Sequence, residues 1–255
     1  MAKVVFLMAD YGHDPSETAV PFTKFEEAGF HIAFATEKGK VPQCDTKMLE
    51  GITQLILGAK KTVVEQYKSM SASSPWNAPL SWSAPDFRLD AYDLVFLPGG
   101  HDKGVRQVID SPAVHALLAS FFPQTRKDGG SSRKAVGAVC HGVMVLSETK
   151  RLGDDGKSVL HGVKTTALPT RFEQLAFWGT RLFLGDYYKT YGACSENVQE
   201  SVTRALERPE DFQNSLAPAP FVVEDDHYNY VSARFPGDVD LLGDKLVALF
   251  KSITA

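Results

Sequence analysis

The chain has 255 residues, 44% apolar and 23% charged, a globular composition that excludes collagen-like, disordered and disulfide-scaffold proteins. Lysine plus arginine number 27 against 31 acidic residues, a net charge of -4, so there is no basic surplus for general nucleic-acid binding. One domain of this length, with insertions, can bury a sizeable core without covalent staples.

The first apolar run, Val4-Val5-Phe6-Leu7-Met8, reaches Asp10 almost at once. It is too short to span a bilayer and stops too early for a secretory signal, so neither segment is expected. Continuous rather than alternating hydrophobicity predicts a strand covered on both faces, as in a parallel sheet. Asp14-Pro15-Ser16-Glu17 then reads as N-cap, N1 proline and N3 glutamate of a helix ending near Gly29. Ile32-Ala33-Phe34-Ala35 predicts a second buried strand. From about residue 43 to 85 the alternation stops: one helical stretch near Thr62 to Tyr67 precedes a Ser/Pro/Trp-rich loop, Ser69 to Pro85.

Leu94-Val95-Phe96-Leu97 and Ala135-Val136-Gly137-Ala138-Val139 are two more buried strands, with a helix between them from Ser111-Pro112 to about Phe122. Gly162 to Thr166 reads as a further strand. A second insertion, about 187–220, is expected to hold a helix around Asn197 to Leu206. Both insertions are too rich in aromatics to be flexible linkers and read as caps over the sheet. Phe221 to Asp225 and Tyr228 to Ala233, joined by Asp226-His227, predict a β-hairpin, and Pro236 to Ser252 a final helix. Strands alternating with helices imply right-handed βαβ units. The expected fold is a doubly wound, mostly parallel α/β sheet with helices on both faces and added cap segments, one domain over 1–255.

The sharpest chemical signal is Ala138-Val139-Cys140-His141-Gly142, where a buried strand ends and a helix should begin. A nucleophile elbow needs small residues two before and two after the nucleophile, because the sharp turn brings those backbones together. A thiol at a helix N-terminus also feels the positive end of the dipole, which predicts a lowered pKa. The alternative is an inert, buried structural cysteine. Leu97-Pro98-Gly99-Gly100-His101 forms a second junction at a strand's carboxyl end, where open α/β sheets bind ligands. Gly99 and His101 are therefore candidate substrate-binding residues. Gly99 and Gly104 have P-loop spacing, but Val105 follows in place of lysine, which excludes that reading.

Glu17 has two readings, as the return partner of a capping box on Asp14 or as a buried, protonated carboxyl near Cys140. The seven histidines include no HExxH spacing and no Cys/His quartet, so no metal site is expected. The three cysteines, Cys44, Cys140 and Cys194, lack CxxC spacing, which predicts a reduced, cytoplasmic protein.

With Pro98-Gly99-Gly100 at a strand end, the Cys140-His141 elbow and Glu17 early in the first helix, the sequence resembles the ThiJ/PfpI superfamily. Within it, the Cys-His pair and the two insertions are nearest the heat-shock-chaperone and glyoxalase III branch. The resemblance implies a flavodoxin-like fold related to class I glutamine amidotransferase domains, and a homodimer. It makes Cys140 the nucleophile, Glu17 the protonated carboxyl against its sulfur and His141 its partner. Backbone N–H groups of Gly100 and His141 would form the oxyanion hole. An acid after the next strand would orient the imidazole, and Glu173, in Leu168-Pro169-Thr170-Arg171-Phe172-Glu173, is the candidate. That segment and His101-Asp102-Lys103 both depart from the branch pattern.

Three function classes follow. The first is a cofactor-free glyoxalase III-type enzyme that converts a small reactive carbonyl, methylglyoxal or glyoxal, to the hydroxy acid. The second is a cysteine amidohydrolase or peptidase-like hydrolase, which needs a complete Cys-His-acid triad. The third is a stress chaperone or oxidation sensor, the former requiring an exposed apolar patch, to which Trp76 and Trp82 could contribute.

Overall fold

A computed structural model describes residues 2–50, 58–127, 132–153 and 156–254. Part of the first insertion, 51–57, lies outside them. The apolar runs form the strands expected of them: β1 (Lys3–Leu7), β3 (His31–Thr36), β6 (Leu94–Leu97) and β7 (Ala135–Val139). The predicted hairpin is β8 (Val222–Glu224) and β9 (Tyr230–Ala233), paired antiparallel. With β5 (Leu80–Ser81) these make a seven-stranded sheet in the order β5-β3-β1-β6-β7-β9-β8, parallel except for β8. A second, two-stranded parallel sheet joins β2 (Tyr11–His13) to β4 (Gln43–Cys44).

Helix α1 (Pro15–Glu27) opens on the Asp14 cap as expected, with Pro15 at its first position. It packs against α10 (Val239–Thr254) and α3 (Lys61–Ala72). Two short helices, α2 (Thr46–Leu49) and α4 (Ser74–Asn77), lie in the first insertion, and α4 packs on β3. Between β6 and β9 run α5 (Arg106–Ile109), α6 (Pro112–Phe121), α7 (Gly142–Glu148), α8 (Thr170–Leu184) and α9 (Val198–Ala205); α7 contacts α5, α6 and α9. The core runs through the sheet. Phe6 on β1 meets Phe34 on β3 and Phe96 on β6 at ring-centroid distances of 5.0 and 4.9 Å, with Phe25 of α1 closing the cluster. Such offset pairs add roughly 0.5–1.5 kcal/mol each beyond their buried area.

Three expectations are corrected. The first insertion is not only a cap: its Ser/Pro/Trp-rich stretch contains α4 and supplies β5, the sheet's edge strand beside β3. Trp76 and Trp82 are each 2% exposed, and Trp76 stands edge-on to Phe34, so neither belongs to a surface patch. Gly162 to Thr166 is not a strand. It forms one bridge, Thr165 with Phe212, and is otherwise tied to the hairpin through side chains. The Lys164 N–H donates to Asp225, the Thr166 N–H to the Ser232 hydroxyl, and the Thr165 hydroxyl meets that of Tyr230; the hairpin already fills the place beside β7. Helix α8, which was not among the expected elements, presents Leu175, Trp178, Leu182 and Phe183 on its exposed side. Among the described residues no helix is long and apolar enough to cross a membrane.

Candidate active site

The strand order reverses direction between β1 and β6, and this switch point is where a doubly wound sheet opens a crevice at its carboxyl edge. Three adjacent strands, β1, β6 and β7, end there and deliver the start of α1, the Pro98-Gly99-Gly100 turn and Cys140 to one place. Cys140 has φ 57°, the one positive φ of a non-glycine among the described residues. Holding it there costs on the order of 1–3 kcal/mol and aims its side chain away from strand and helix alike. The conformation is secured by Cys140 N–H to Ala233 O (3.1 Å) and Val143 N–H to Cys140 O (3.3 Å). Gly142 must be glycine because a Cβ there would run into the Leu97 carbonyl.

At the start of α1 the Asp14 carboxylate accepts from the N–H groups of Ser16 (2.7 Å) and Glu17 (3.2 Å). The Asp14 N–H is itself taken by Gly99 O at 3.0 Å. Glu17 therefore has no capping-box partner to return to, and its side chain turns inward. A Cβ built on Gly99 would lie 2.6 Å from Glu17 Oε2 and 2.8 Å from Cys140 Cβ, so the bare glycine is what lets carboxyl and cysteine meet. His13 locks the same turn. Its Nε2 accepts from the Ala9 N–H at 2.8 Å, which leaves Nδ1–H to donate to Gly99 O at 3.0 Å.

Glu17, Cys140 and His141 are each 1% exposed. Burial, and then the nearby Asp14 carboxylate, hold the Glu17 carboxyl well above the usual range, so it keeps its proton. Neither carboxyl oxygen has a well-formed hydrogen bond; the Cys140 thiol and Gly99 N–H near it favour the charged form only weakly. The expected lowering of the thiol pKa is overturned. Burial raises it first, a charged Glu17 would raise it further, and the His141 N–H facing the sulfur offsets only part. Desolvation of a sealed thiolate outweighs the end of a seven-residue helix. The resting site is a neutral thiol beside a neutral carboxyl.

His141 Nδ1 stands 3.4 Å from Cys140 Sγ, and its Nε2 is 3.0 Å from the Thr190 hydroxyl. Burial, then His101 and Lys189, push its pKa well down, so the imidazole is neutral at rest. Glu173 does not fill the orienting role. It is buried in the first turn of α8, accepts from the Val198 N–H at 2.8 Å and pairs with the Lys189 ammonium at 3.1 Å. A buried carboxylate next to a buried ammonium is held by that pair, and the position beside Nε2 belongs to Thr190.

His101 sits above His141, with ring centroids 4.9 Å apart and edge to face, and Tyr188 lies 4.6 Å beyond. The residue is half-buried, but its ring Nδ1 is enclosed and without a hydrogen bond, and burial lowers its pKa to about 4. Gly99 thus forms the floor against Glu17 and Cys140, and His101 part of the roof. The roof continues through Tyr187, whose hydroxyl donates to Asp45, and through Lys103, paired with Asp186 at 3.0 Å. Thr190, Lys189, Tyr187 and His13 escaped sequence reasoning. Thr190 meets a histidine 49 positions earlier, a pairing that no local motif marks; the density of aromatics in the second insertion was the one available signal.

This site, a buried cysteine elbow facing a protonated glutamate at the switch point of a mostly parallel sheet, defines a class, and comparison with known proteins agrees with it. Residues 8–224 match the family described as ThiJ/PfpI family-like, and the chain belongs to the ThiJ/PfpI (DJ-1/PfpI) family. An uncharacterized protein of Schizosaccharomyces pombe is 26% identical over 240 residues, covering 94% of this chain and 80% of that one. Glyoxalase III of Candida albicans shares the fold with a TM-score of 0.69 at 18% identity, over 98% of this chain and 97% of that one. The rapid encystment protein of Francisella tularensis does so with a TM-score of 0.69 at 14% identity, over 98% and 99%.

Proposed function

We propose that this chain is a cysteine-dependent, cofactor-free enzyme of the glyoxalase III type, converting methylglyoxal or glyoxal to the corresponding hydroxy acid. The observation that carries the reading is the sealed group of three: Cys140 Sγ at 3.4 Å from His141 Nδ1, with the protonated Glu17 packed at Gly99 beside the same cysteine. Conversion of an α-oxoaldehyde to a hydroxy acid is an internal redox exchange between adjacent carbons, so the reaction draws on water alone.

The thiol sulfur adds to the aldehyde carbon, its proton leaves through His141 to the carbonyl oxygen, and a hemithioacetal forms. N–H groups of Gly100 and His141 would hold the oxygen while it is negative. His141, neutral again after the addition, removes the proton from the former aldehyde carbon while Glu17 gives its proton to the neighbouring carbonyl oxygen. His141 then returns its proton to that neighbouring carbon and Glu17 takes one back from the first hydroxyl, so the exchange runs through an enediol. The first carbon is now oxidised to a thioester and the second reduced to an alcohol. Water hydrolyses the thioester, releasing the hydroxy acid and restoring the thiol. The similarity in fold to a glyoxalase III is consistent with this chemistry. A hydrolase reading loses its support with Glu173 bound to Lys189.

The test is methylglyoxal consumption with lactate formation, without glutathione, in wild type, Cys140→Ala and Glu17→Gln. Wild type turns over, Cys140→Ala falls to background, and Glu17→Gln loses roughly a hundredfold or more in kcat, the range of a lost general acid or base. Turnover by Cys140→Ala equal to wild type overturns the reading, as does no turnover by a folded wild type whose Cys140 reacts with thiol reagents.

A further inference from the structure

The imidazole of His141 is held at both ring nitrogens, and the two partners differ in what they can donate. Nδ1 faces the Cys140 thiol at 3.4 Å and Nε2 the Thr190 hydroxyl at 3.0 Å. A neutral imidazole has one N–H and one lone pair, so the nitrogen that bears the proton decides whether the ring can accept from sulfur. The same Thr190 hydroxyl lies 2.9 Å from the carbonyl oxygen of His101. A carbonyl only accepts, and a hydroxyl has a single proton, so that proton goes to His101. What Thr190 then presents to His141 is a lone pair, and the 3.0 Å contact is a hydrogen bond only if Nε2 carries the ring proton. Nδ1 is left with its lone pair facing the thiol.

We propose that Thr190 is a positioning residue: its hydroxyl, anchored on the His101 carbonyl, locks His141 in the Nε2–H tautomer so that Nδ1 can take the Cys140 proton. The inference rests on the cysteine-dependent reading above and names the group that stands where an orienting acid would. As the sulfur electron pair forms the bond to the aldehyde carbon, the thiol proton moves to Nδ1 and the carbonyl π pair moves to oxygen. The doubly protonated ring is steadied by its Nε2–H bond to Thr190. Nδ1 then passes its proton to the new oxyanion, which yields the neutral hemithioacetal and the original tautomer.

A threonine in this place differs from a carboxylate in adding no charge to a buried ring, and it depends on its own anchoring. Thr190 is buried, and the adjacent Lys189 is tied to Glu173 and to Asn197. Glu173 therefore reaches the site only through the segment that carries Thr190.

The experiment is nitrogen-15 NMR of histidine-labelled protein, with His141 assigned by its loss in His141→Asn, joined to kinetics of Thr190→Val and Thr190→Ser. In wild type the His141 shifts are those of the Nε2–H tautomer, and in Thr190→Val they move toward the Nδ1–H form. Methylglyoxal kcat falls by about tenfold or more in Thr190→Val while KM stays within about twofold, and Thr190→Ser recovers most of the loss. Iodoacetamide alkylation of Cys140 slows in parallel in Thr190→Val. An Nδ1–H tautomer in wild type overturns the proposal, and this spectrum decides even where Thr190→Val does not fold. Unchanged tautomer, kcat and alkylation in a folded Thr190→Val overturn it too. If methylglyoxal is no substrate, the tautomer and alkylation results still decide the role of Thr190, so its failure is distinguishable from failure of the glyoxalase reading.

Discussion

A glutamate enclosed beside a thiol and a second carboxyl remains buried at low cost only by keeping its proton. Glu17 is in that position, raised well above its ordinary value of 4.5 by burial and by Asp14. A folded-state pKa above the unfolded one means that the stability contributed is complete below about 4.5 and is lost as pH rises towards the folded value. In that window the unfolded chain releases a proton that the folded chain retains, at up to about 1.4 kcal/mol per pH unit. Glu17→Gln has no such proton to release. Its melting temperature should equal that of wild type near pH 4 and exceed it increasingly towards pH 8; a pH-independent difference between the two would show that the Glu17 carboxyl titrates in the folded protein as it does in the unfolded chain. The same residue shows what a motif can and cannot reveal. The elbow and the glycine turn name Cys140, His141 and Gly99 because each answers a local steric demand. The state of the thiol depends on what seals it, and the helix-end argument was overturned because the neighbours responsible come from other elements.

At the scale of elements, β1, β3, β6, β7, α1, α6, the hairpin and the last helix were legible because continuous apolar runs and proline-headed caps are local signals. The edge strand β5 was not: Leu80-Ser81 is two residues long and owes its place to pairing with β3. Helix α8 opens on Pro169 without a side-chain cap; Thr170 and Glu173 have capping-box spacing, but Glu173 accepts from the Val198 N–H instead. Yet the segment after α8 supplies part of the roof, Tyr187 and Tyr188 against His101, and that roof is fastened to the first insertion. Tyr187 donates to Asp45, which also caps α2 by accepting from the Lys47 N–H at 2.9 Å. Cys140 is only 1% exposed, so a substrate or reagent needs an opening to reach it, and if this fastening guards that opening its loss should speed access. Tyr187→Phe keeps the aromatic packing on Tyr188 and His101 and removes the hydroxyl alone. Iodoacetamide should then label Cys140 several-fold faster at unchanged pH, by about the factor of ten that a lost hydrogen bond of roughly 1–1.5 kcal/mol can supply. Equal labelling rates would mean that access runs by another route.

For the molecule as a whole, the knot of buried groups at the sheet's carboxyl edge sets how stability responds to acid, because its members pull in opposite directions. Burial lowers His13 from 6.5 to about 4, so its contribution is intact above pH 6.5 and lost on acidification, up to about 3 kcal/mol over that interval. Burial raises Asp14 from 3.8 to about 6, so its contribution is regained on acidification over nearly the same range, again about 3 kcal/mol. These two, joined through Gly99, largely cancel. What remains sets Glu17, which favours acid, against His101 and His141, both of which oppose it. Stability should therefore decline only moderately between pH 6.5 and 4 for a protein with so many buried titratable groups. His101→Phe isolates one side of the balance. Phenylalanine retains an aromatic ring against His141 and Tyr188 and discards an Nδ1 that has no hydrogen bond to lose. Relative to wild type, urea denaturation of this variant should show a stability difference that is constant above pH 6.5. On descent towards pH 4 the difference should grow in the variant's favour by up to about 3 kcal/mol, all that the buried His101 imidazole costs the wild type there. If it stays constant through that range, His101 takes up its proton in the folded state as freely as in the unfolded one, and the roof admits water to the ring.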